Sequence, residues 1–425
     1  MAGTTPTGEW SERVAFANAA GEPFAYRPNE IVVAGEQARD FALEVTGFEA
    51  DVEEVFPEEG FGADARRPVL FRVRAEFDPV ELSADLRLRG MVGQPNHVLF
   101  AHCGCCCRPH PADRGVAGSP VYASPVYASP VYASEYQATG HRKSSARPAS
   151  EPAYLTVPAS SPRPEGGRAP RVVVLDTGLA AGALRPACVG AVSCAAGDCD
   201  EPDEDGDHLL DPAAGHGTFI AGLIALLAPG CDLTVERVLT TFGDGDEVTI
   251  ARAIAALDPD TDILNLSFGG YAMERMDVLA AAIRIVQKRA TVVVASAGND
   301  ATCRPAYPAA LPGVIGVGAV GPDGPARFSN YGPWVRACAP GVDLVSAFFT
   351  VFDGAGTAPA GTADPDRFRE WACWSGTSFA APVVAAALAR EMRLTGVGAA
   401  DAVARVVDAP GLLRLADLGT VVNLL

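Results

Sequence analysis

The sequence predicts an α/β protein in which a doubly wound, mostly parallel sheet follows a smaller α+β unit, and three observations carry that expectation. Short apolar, β-branched runs at 171–175 and 291–294 each lead into a polar, Gly-containing turn, as buried parallel strands do. Helical apolar repeats follow such turns: Phe219, Ile220, Leu223, Ile224 and Leu227 after Gly215, and Phe379, Ala380, Val383, Val384 and Ala387 after Gly376. The N-terminal part runs in a β-α-β-α-β pattern and is separated from the rest by a stretch of low complexity.

After an extension over 1–23, the first unit covers 24–101. It predicts strands at 30–33, 69–73 and 97–100 and helices at 37–46 and 80–89, an order that suits a small domain of the split βαβ type. Residues 102–167 read as a tether rich in Pro, Ser, Ala and Gly, with Ser-Pro-Val-Tyr-Ala repeated three times over 119–133. A proline every five residues favours extended chain that builds no core, so the plain reading is a spacer. The sharper readings are a self-cleavage substrate, with Arg142, Lys143 and Arg147 marking the cut region, a docking site, or modification at Tyr122, Tyr127 and Tyr132. Cys103, Cys105, Cys106 and Cys107 sit beside His102 and His110 as a soft-ligand cluster, yet adjacent cysteines lack the paired spacing of a structural zinc site. The chain has 11 cysteines, an odd number, so pairing all of them leaves one over.

The region 168–425 carries the chemistry. Val-Leu-Asp-Thr-Gly surrounds Asp176, Gly-His-Gly-Thr surrounds His216, and Gly-Thr-Ser-Phe-Ala-Ala-Pro surrounds Ser378. A hydroxyl is a poor nucleophile at neutral pH; it needs a positioned base, and the base needs a carboxylate to fix its tautomer. Asp176 is expected at the carboxyl end of a buried strand, His216 at a helix start, and Ser378 at the start of an Ala-rich helix with Gly376 and Thr377 as turn and cap. Taken singly, each string has a plainer explanation: a helix cap, a core histidine, a chance match in a Gly-rich chain. Their joint order, Asp then His then Ser, distinguishes the subtilisin arrangement from the other known triad orders.

From about Arg171 onward the chain resembles a subtilisin-family serine peptidase. The resemblance implies an acyl-enzyme mechanism with Asp176 orienting, His216 as base and acid, and Ser378 attacking. It implies an oxyanion hole formed by Asn299, in Ala-Ser-Ala-Gly-Asn-Asp, with the Ser378 amide. It further implies a substrate-binding edge strand over 263–270 with Ser267, Phe268 and Gly269 facing an extended peptide. The loop 328–341 matches a loop of such enzymes and takes no catalytic role. The first unit resembles the ferredoxin-like propeptide domain of these zymogens, making the chain's own N-terminal domain a partner that assists folding and blocks the site. Phe379 departs from the methionine such chains often carry.

No cofactor is required for this chemistry. The acidic insert from Asp198 to Asp211 reads as an oxygen-ligand calcium loop with Asp203, Asp205 and Asp207 around Gly206; the alternatives are a solvated loop or a negative rim favouring basic substrates. The net charge of −19 opposes nucleic-acid and anionic-membrane partners, and no apolar run approaches the roughly 18 residues a membrane span needs. The first twenty residues lack the apolar stretch of a secretory signal, which points to the cytoplasm, with secretion as the alternative from the family. The function expected is a self-processing serine endopeptidase; its rivals are a dedicated protease for one co-produced peptide and a non-catalytic binding protein of the same fold.

Overall fold

The computed structural model describes residues 13–19, 22–35, 40, 52–56, 68–101, 146–150, 168–183, 192–195, 197–206, 208–354 and 367–424. Its N-terminal part contains β1 (Ala15–Ala19), β2 (Glu22–Ala34), β3 (Val52–Glu54), β4 (Pro68–Arg72), α1 (Pro79–Leu88) and β5 (Val92–Ala101). The strands pair antiparallel in the order β5-β2-β4-β3, and β1 folds back on β2. Helix α1 begins where Pro79 presets the first turn and the Asp78 carboxylate accepts the Val80 amide. Strand alternation sends Ile31, Val33, Val69 and Phe71 toward Leu82 and Leu86 of α1, and Val32, Leu70 and Leu99 toward the rest of the molecule. The sheet thus reaches upstream of residue 24, where the pattern placed its start. The helix expected over 37–46 lies outside the described residues apart from Asp40.

The second part runs β6 (Arg147–Pro148), β7 (Arg171–Asp176), β8 (Leu179–Ala180), β9 (Val192–Cys194), β10 (Cys199–Asp200), α2 (His216–Leu227), β11 (Asp232–Arg237), β12 (Asp244–Asp246), α3 (Glu247–Ala256), β13 (Ile263–Leu266), β14 (Phe268–Gly269), α4 (Asp277–Lys288), β15 (Val292–Ser296), β16 (Ile315–Gly321), β17 (Val335–Pro340), β18 (Leu344–Ala347), β19 (Trp371–Trp374), α5 (Thr377–Thr395), α6 (Ala399–Val406) and β20 (Gly419–Val421). The central strands are parallel in the order β9-β11-β7-β13-β15-β16-β17-β20. The chain leaves β7 for β11 on one side and returns as β13 on the other, so the strand order reverses at β7. Ligand sites of open α/β sheets form beyond the carboxyl ends of the strands at such a reversal.

Both faces of this sheet are covered. Val172, Val174, Ile263 and Val294 pack with α2 and α5, whereas their neighbours Val173, Leu175, Leu264 and Val293 pack with α3 and α4. Each such side chain withdrawn from water contributes roughly 1.5–3 kcal/mol, which explains why the strands are apolar without alternation. Val32, Leu70 and Leu99 of the N-terminal sheet join the α3/α4 core, so the two parts share one apolar cluster. Among the described residues no helix is long and apolar enough to cross a membrane.

Candidate active site

Asp176 ends β7, fully buried, and its Oδ1 accepts two hydrogen bonds: from His216 Nδ1 at 2.7 Å and from the Thr177 amide at 2.9 Å. With the proton on Nδ1, His216 Nε2 is the basic nitrogen; it has no hydrogen-bond partner among the described residues. His216 is the first residue of α2. Gly215 caps that helix at φ 79°, where a Cβ would come within 2.2 Å of the Phe348 ring, so both backbone and space require glycine. Trp374 and Phe379 flank the imidazole, with ring centroids 5.6 and 5.3 Å away, and fix its plane. Phe379, the departure noted in the sequence, therefore forms part of the histidine's wall.

Ser378 lies in the first turn of α5; the helix starts at Thr377 with Gly376 as its cap, one residue earlier than the sequence suggests. Pro382 sits four residues on and has no amide to offer the Ser378 carbonyl. That carbonyl instead accepts the Ser267 hydroxyl at 2.8 Å, and the Ser378 hydroxyl donates to the Ser267 carbonyl at 2.8 Å. Asn265 Nδ2 in turn donates to Ser267 Oγ at 2.9 Å. Ser267, expected only to line the substrate strand, thus clasps Ser378 through both its hydroxyl and its carbonyl. Its signal was present in the sequence as a proline four residues after a serine.

The Asn299 side chain is oriented by Thr377: Asn299 Oδ1 accepts the Thr377 amide at 3.0 Å and hydroxyl at 2.9 Å, leaving Nδ2 as the group directed elsewhere. Asn330, from the loop given no catalytic role, braces this turn. Its Oδ1 accepts the amides of Asp300 and Thr302, and its Nδ2 donates to the Ala297 carbonyl. Phe268 and Gly269 form β14 and pair antiparallel with Ala101 and Phe100, while β12 pairs with Val98, Leu99 and Phe100 from the other side. The end of β5 therefore lies between β12 and β14.

The acidic insert divides in two. Asp203, Asp205 and Asp211 bring carboxylate oxygens within 4.8 Å of one another, a set able to hold a hard cation. Asp211 stands here in the set read as Asp203, Asp205 and Asp207; Asp207 lies outside the described residues. Burial pushes the Asp211 carboxyl up to about 6, against hydrogen bonds from Thr241 and the Glu204 amide. Asp200 is separate: it is buried, and its Oδ2 accepts the Thr177 hydroxyl at 2.8 Å and the Gly215 amide at 2.9 Å. Cys194, Cys199, Cys231, Cys303, Cys338 and Cys373 are free thiols. The Cys103–Cys107 cluster and the Ser-Pro-Val-Tyr-Ala repeats lie outside the described residues.

A buried Asp–His pair at the carboxyl edge of a doubly wound parallel sheet, with a serine at a nearby helix start, defines the class as a doubly wound α/β protein with its polar cluster at the strand-order reversal. The family described as Peptidase_S8, Subtilase family, matches residues 167–397, and the chain belongs to it. A thermophilic serine proteinase of Bacillus sp. (strain AK1) is 32% identical over 244 residues, covering 52% of this chain and 51% of that protein. An intracellular serine protease of Paenibacillus polymyxa is 33% identical over 241 residues, covering 52% and 66%. The chain thus spans about half to two thirds of the length of these relatives. A crystal structure of a cold adapted subtilisin-like serine proteinase aligns with a TM-score of 0.46 at 22% identity, over 61% of this chain and 90% of that one.

Proposed function

We propose that this chain is a serine endopeptidase that hydrolyses peptide bonds through an acyl-enzyme and is made as a self-processing zymogen. The observation that carries the reading is the buried 2.7 Å bond between His216 Nδ1 and Asp176 Oδ1, which leaves Nε2 as a base on the side of the Asp–His pair away from the carboxylate. In the reaction, the Ser378 hydroxyl leaves the Ser267 carbonyl, gives its proton to Nε2, and attacks the scissile carbonyl carbon. The oxyanion takes hydrogen bonds from Asn299 Nδ2 and from the Ser378 amide in the first turn of α5. His216 then returns the proton to the leaving amine, and water repeats the cycle on the acyl-enzyme.

An extended substrate would lie between β12 and β14, pairing with Phe268 and Gly269. The chain's own β5 runs there up to Ala101, which supports reading the N-terminal part as a propeptide that fills the cleft until it is cut. That favours a cut shortly after Ala101. Arg147, offered by the sequence as a cut marker, is bound in β6 and ion-paired to Asp343, which argues against it. Asp203, Asp205 and Asp211 are the residues that would hold a stabilising calcium ion.

A fluorophosphonate probe applied to the full chain and to Ser378→Ala, read by intact mass with N-terminal sequencing, tests the reading. We expect labelling of the wild type alone, on a chain that begins shortly after Ala101. Labelling of an uncut chain would remove the zymogen part, and no labelling of a cut chain would remove the peptidase.

A further inference from the structure

We infer that Asp200 is a positioning residue for Asp176 and His216, tying the turn after the first to the helix that begins with the second through one carboxyl oxygen. The inference rests on the peptidase reading for its functional meaning. Asp200 Oδ2 accepts the Thr177 hydroxyl and the Gly215 amide, so it binds the residue after Asp176 and the residue before His216. Thr177 Oγ1 also accepts the amide of Gly217, the residue after His216, at 3.0 Å. Both neighbours of the histidine are therefore held to the neighbour of the aspartate. The space is closed: a Cβ on Gly217 would lie 2.4 Å from the Gly178 carbonyl, and one on Gly178 would lie 2.3 Å from the Asp198 carbonyl. Asp200 reaches this point because β10 pairs with β8, just after the Asp176 turn.

The charge state follows from the surroundings. Burial pushes the Asp200 carboxyl well above the usual carboxylate range and the charge of Asp176 adds to it, against the two hydrogen bonds and Arg237. Its second oxygen is buried with no partner among the described residues, which suits a neutral carboxyl. A neutral carboxyl accepts both hydrogen bonds without setting a second anion beside Asp176. An asparagine amide can do the same; an alanine cannot, and it leaves the Gly215 amide unpaired in the interior.

The test compares full-length Asp200→Asn and Asp200→Ala with the wild type, each first checked for folding by its thermal midpoint. One readout is the rate of fluorophosphonate labelling of Ser378 across pH. The other is the low-field proton resonance of His216 Nδ1–H in a Ser378→Ala background, which needs no turnover. We expect Asp200→Asn to keep its labelling rate within about threefold of the wild type with the resonance in place, and Asp200→Ala to lose about 10–100-fold in labelling rate with an altered pH profile and a shifted resonance, the scale of a misplaced catalytic pair. A folded Asp200→Ala with wild-type rate, profile and resonance would overturn the inference, as would Asp200→Asn falling as far as Asp200→Ala. Should Asp200→Ala not fold, Thr177→Val removes the same link with Asp200 in place and must show the same loss. If the wild type itself is not labelled, the peptidase reading has failed and the resonance alone decides the positioning role.

Discussion

Ser267 and Pro382 show how much of this site is set one residue at a time. A proline four positions after Ser378 releases a helix carbonyl, and the serine between β13 and β14 donates its hydroxyl to it. The thiols follow the same local logic. Burial pushes Cys231 up to about 12 and Cys338 up to about 11, whereas Cys303 is exposed. Iodoacetamide on the native protein should modify Cys303 and spare Cys231 and Cys338, as peptide mapping would report. A thiol whose folded value is raised contributes stability that is complete below its ordinary value of 9.0 and is lost as pH rises toward about 12. The thermal midpoint of the wild type should therefore fall more steeply above pH 9 than that of Cys231→Ala; parallel curves would show that this thiol stays out of the titration.

At the scale of elements, the segment between β9 and α2 does two jobs. Its first part, β10, delivers Asp200 to the Asp176–His216 pair; the remainder gathers Asp203, Asp205 and Asp211. The second group is tied down by Glu204, which pairs with Arg237 at 2.9 Å, and by Thr241, which donates to Asp211 at 2.6 Å. A cation bound there would brace the approach to the histidine helix. Chelation with EGTA should lower the thermal midpoint of the wild type, and calcium in excess should restore it, since a ligand held by the native state alone at 100 times its Kd adds about 2.7 kcal/mol. Asp205→Asn should blunt that response. A midpoint indifferent to both treatments would leave the segment as a hydrogen-bonded acidic loop.

For the whole molecule, apolar and polar contacts together hold the N-terminal sheet against the second part. Its apolar face shares a core with α3 and α4, and its edge is fixed by polar contacts that are mostly out of solvent. Arg27 pairs with Asp244, whose side chain is fully buried, at 3.1 Å. His97 and Gln94 meet Glu247, which also accepts the Val278 and Leu279 amides at the start of α4. Arg304 reaches across to the Pro23 carbonyl at 2.6 Å. Arg27→Ala leaves the buried Asp244 carboxylate with the Thr240 hydroxyl and with Arg13 at 3.9 Å, so it should weaken this docking by up to about 3 kcal/mol. Amide hydrogen exchange along β5 and β12 in the full chain should accelerate by up to ~100-fold, the equivalent of about 3 kcal/mol of docking free energy. Unchanged protection there would assign the docking to the apolar face alone.

The sequence by itself determined the parallel sheet, the helix from His216 to Leu227 and the placement of Asp176 at a strand end, because these depend on short-range apolar periodicity and on glycines that local backbone geometry demands. It also determined the family, since the three strings around Asp176, His216 and Ser378 are each local. Only the tertiary structure decided which acidic residues belong together. Asp200 and Asp211 look alike in a run of carboxylates, yet chain pairing brings one to Thr177 and Gly215 and the other to Asp203 and Asp205. The same holds for Ser267 against Ser378, for Asn330 behind Asn299, and for β5 between β12 and β14. Those contacts join residues far apart along the chain. Their energies depend on burial and on partners that no local pattern encodes.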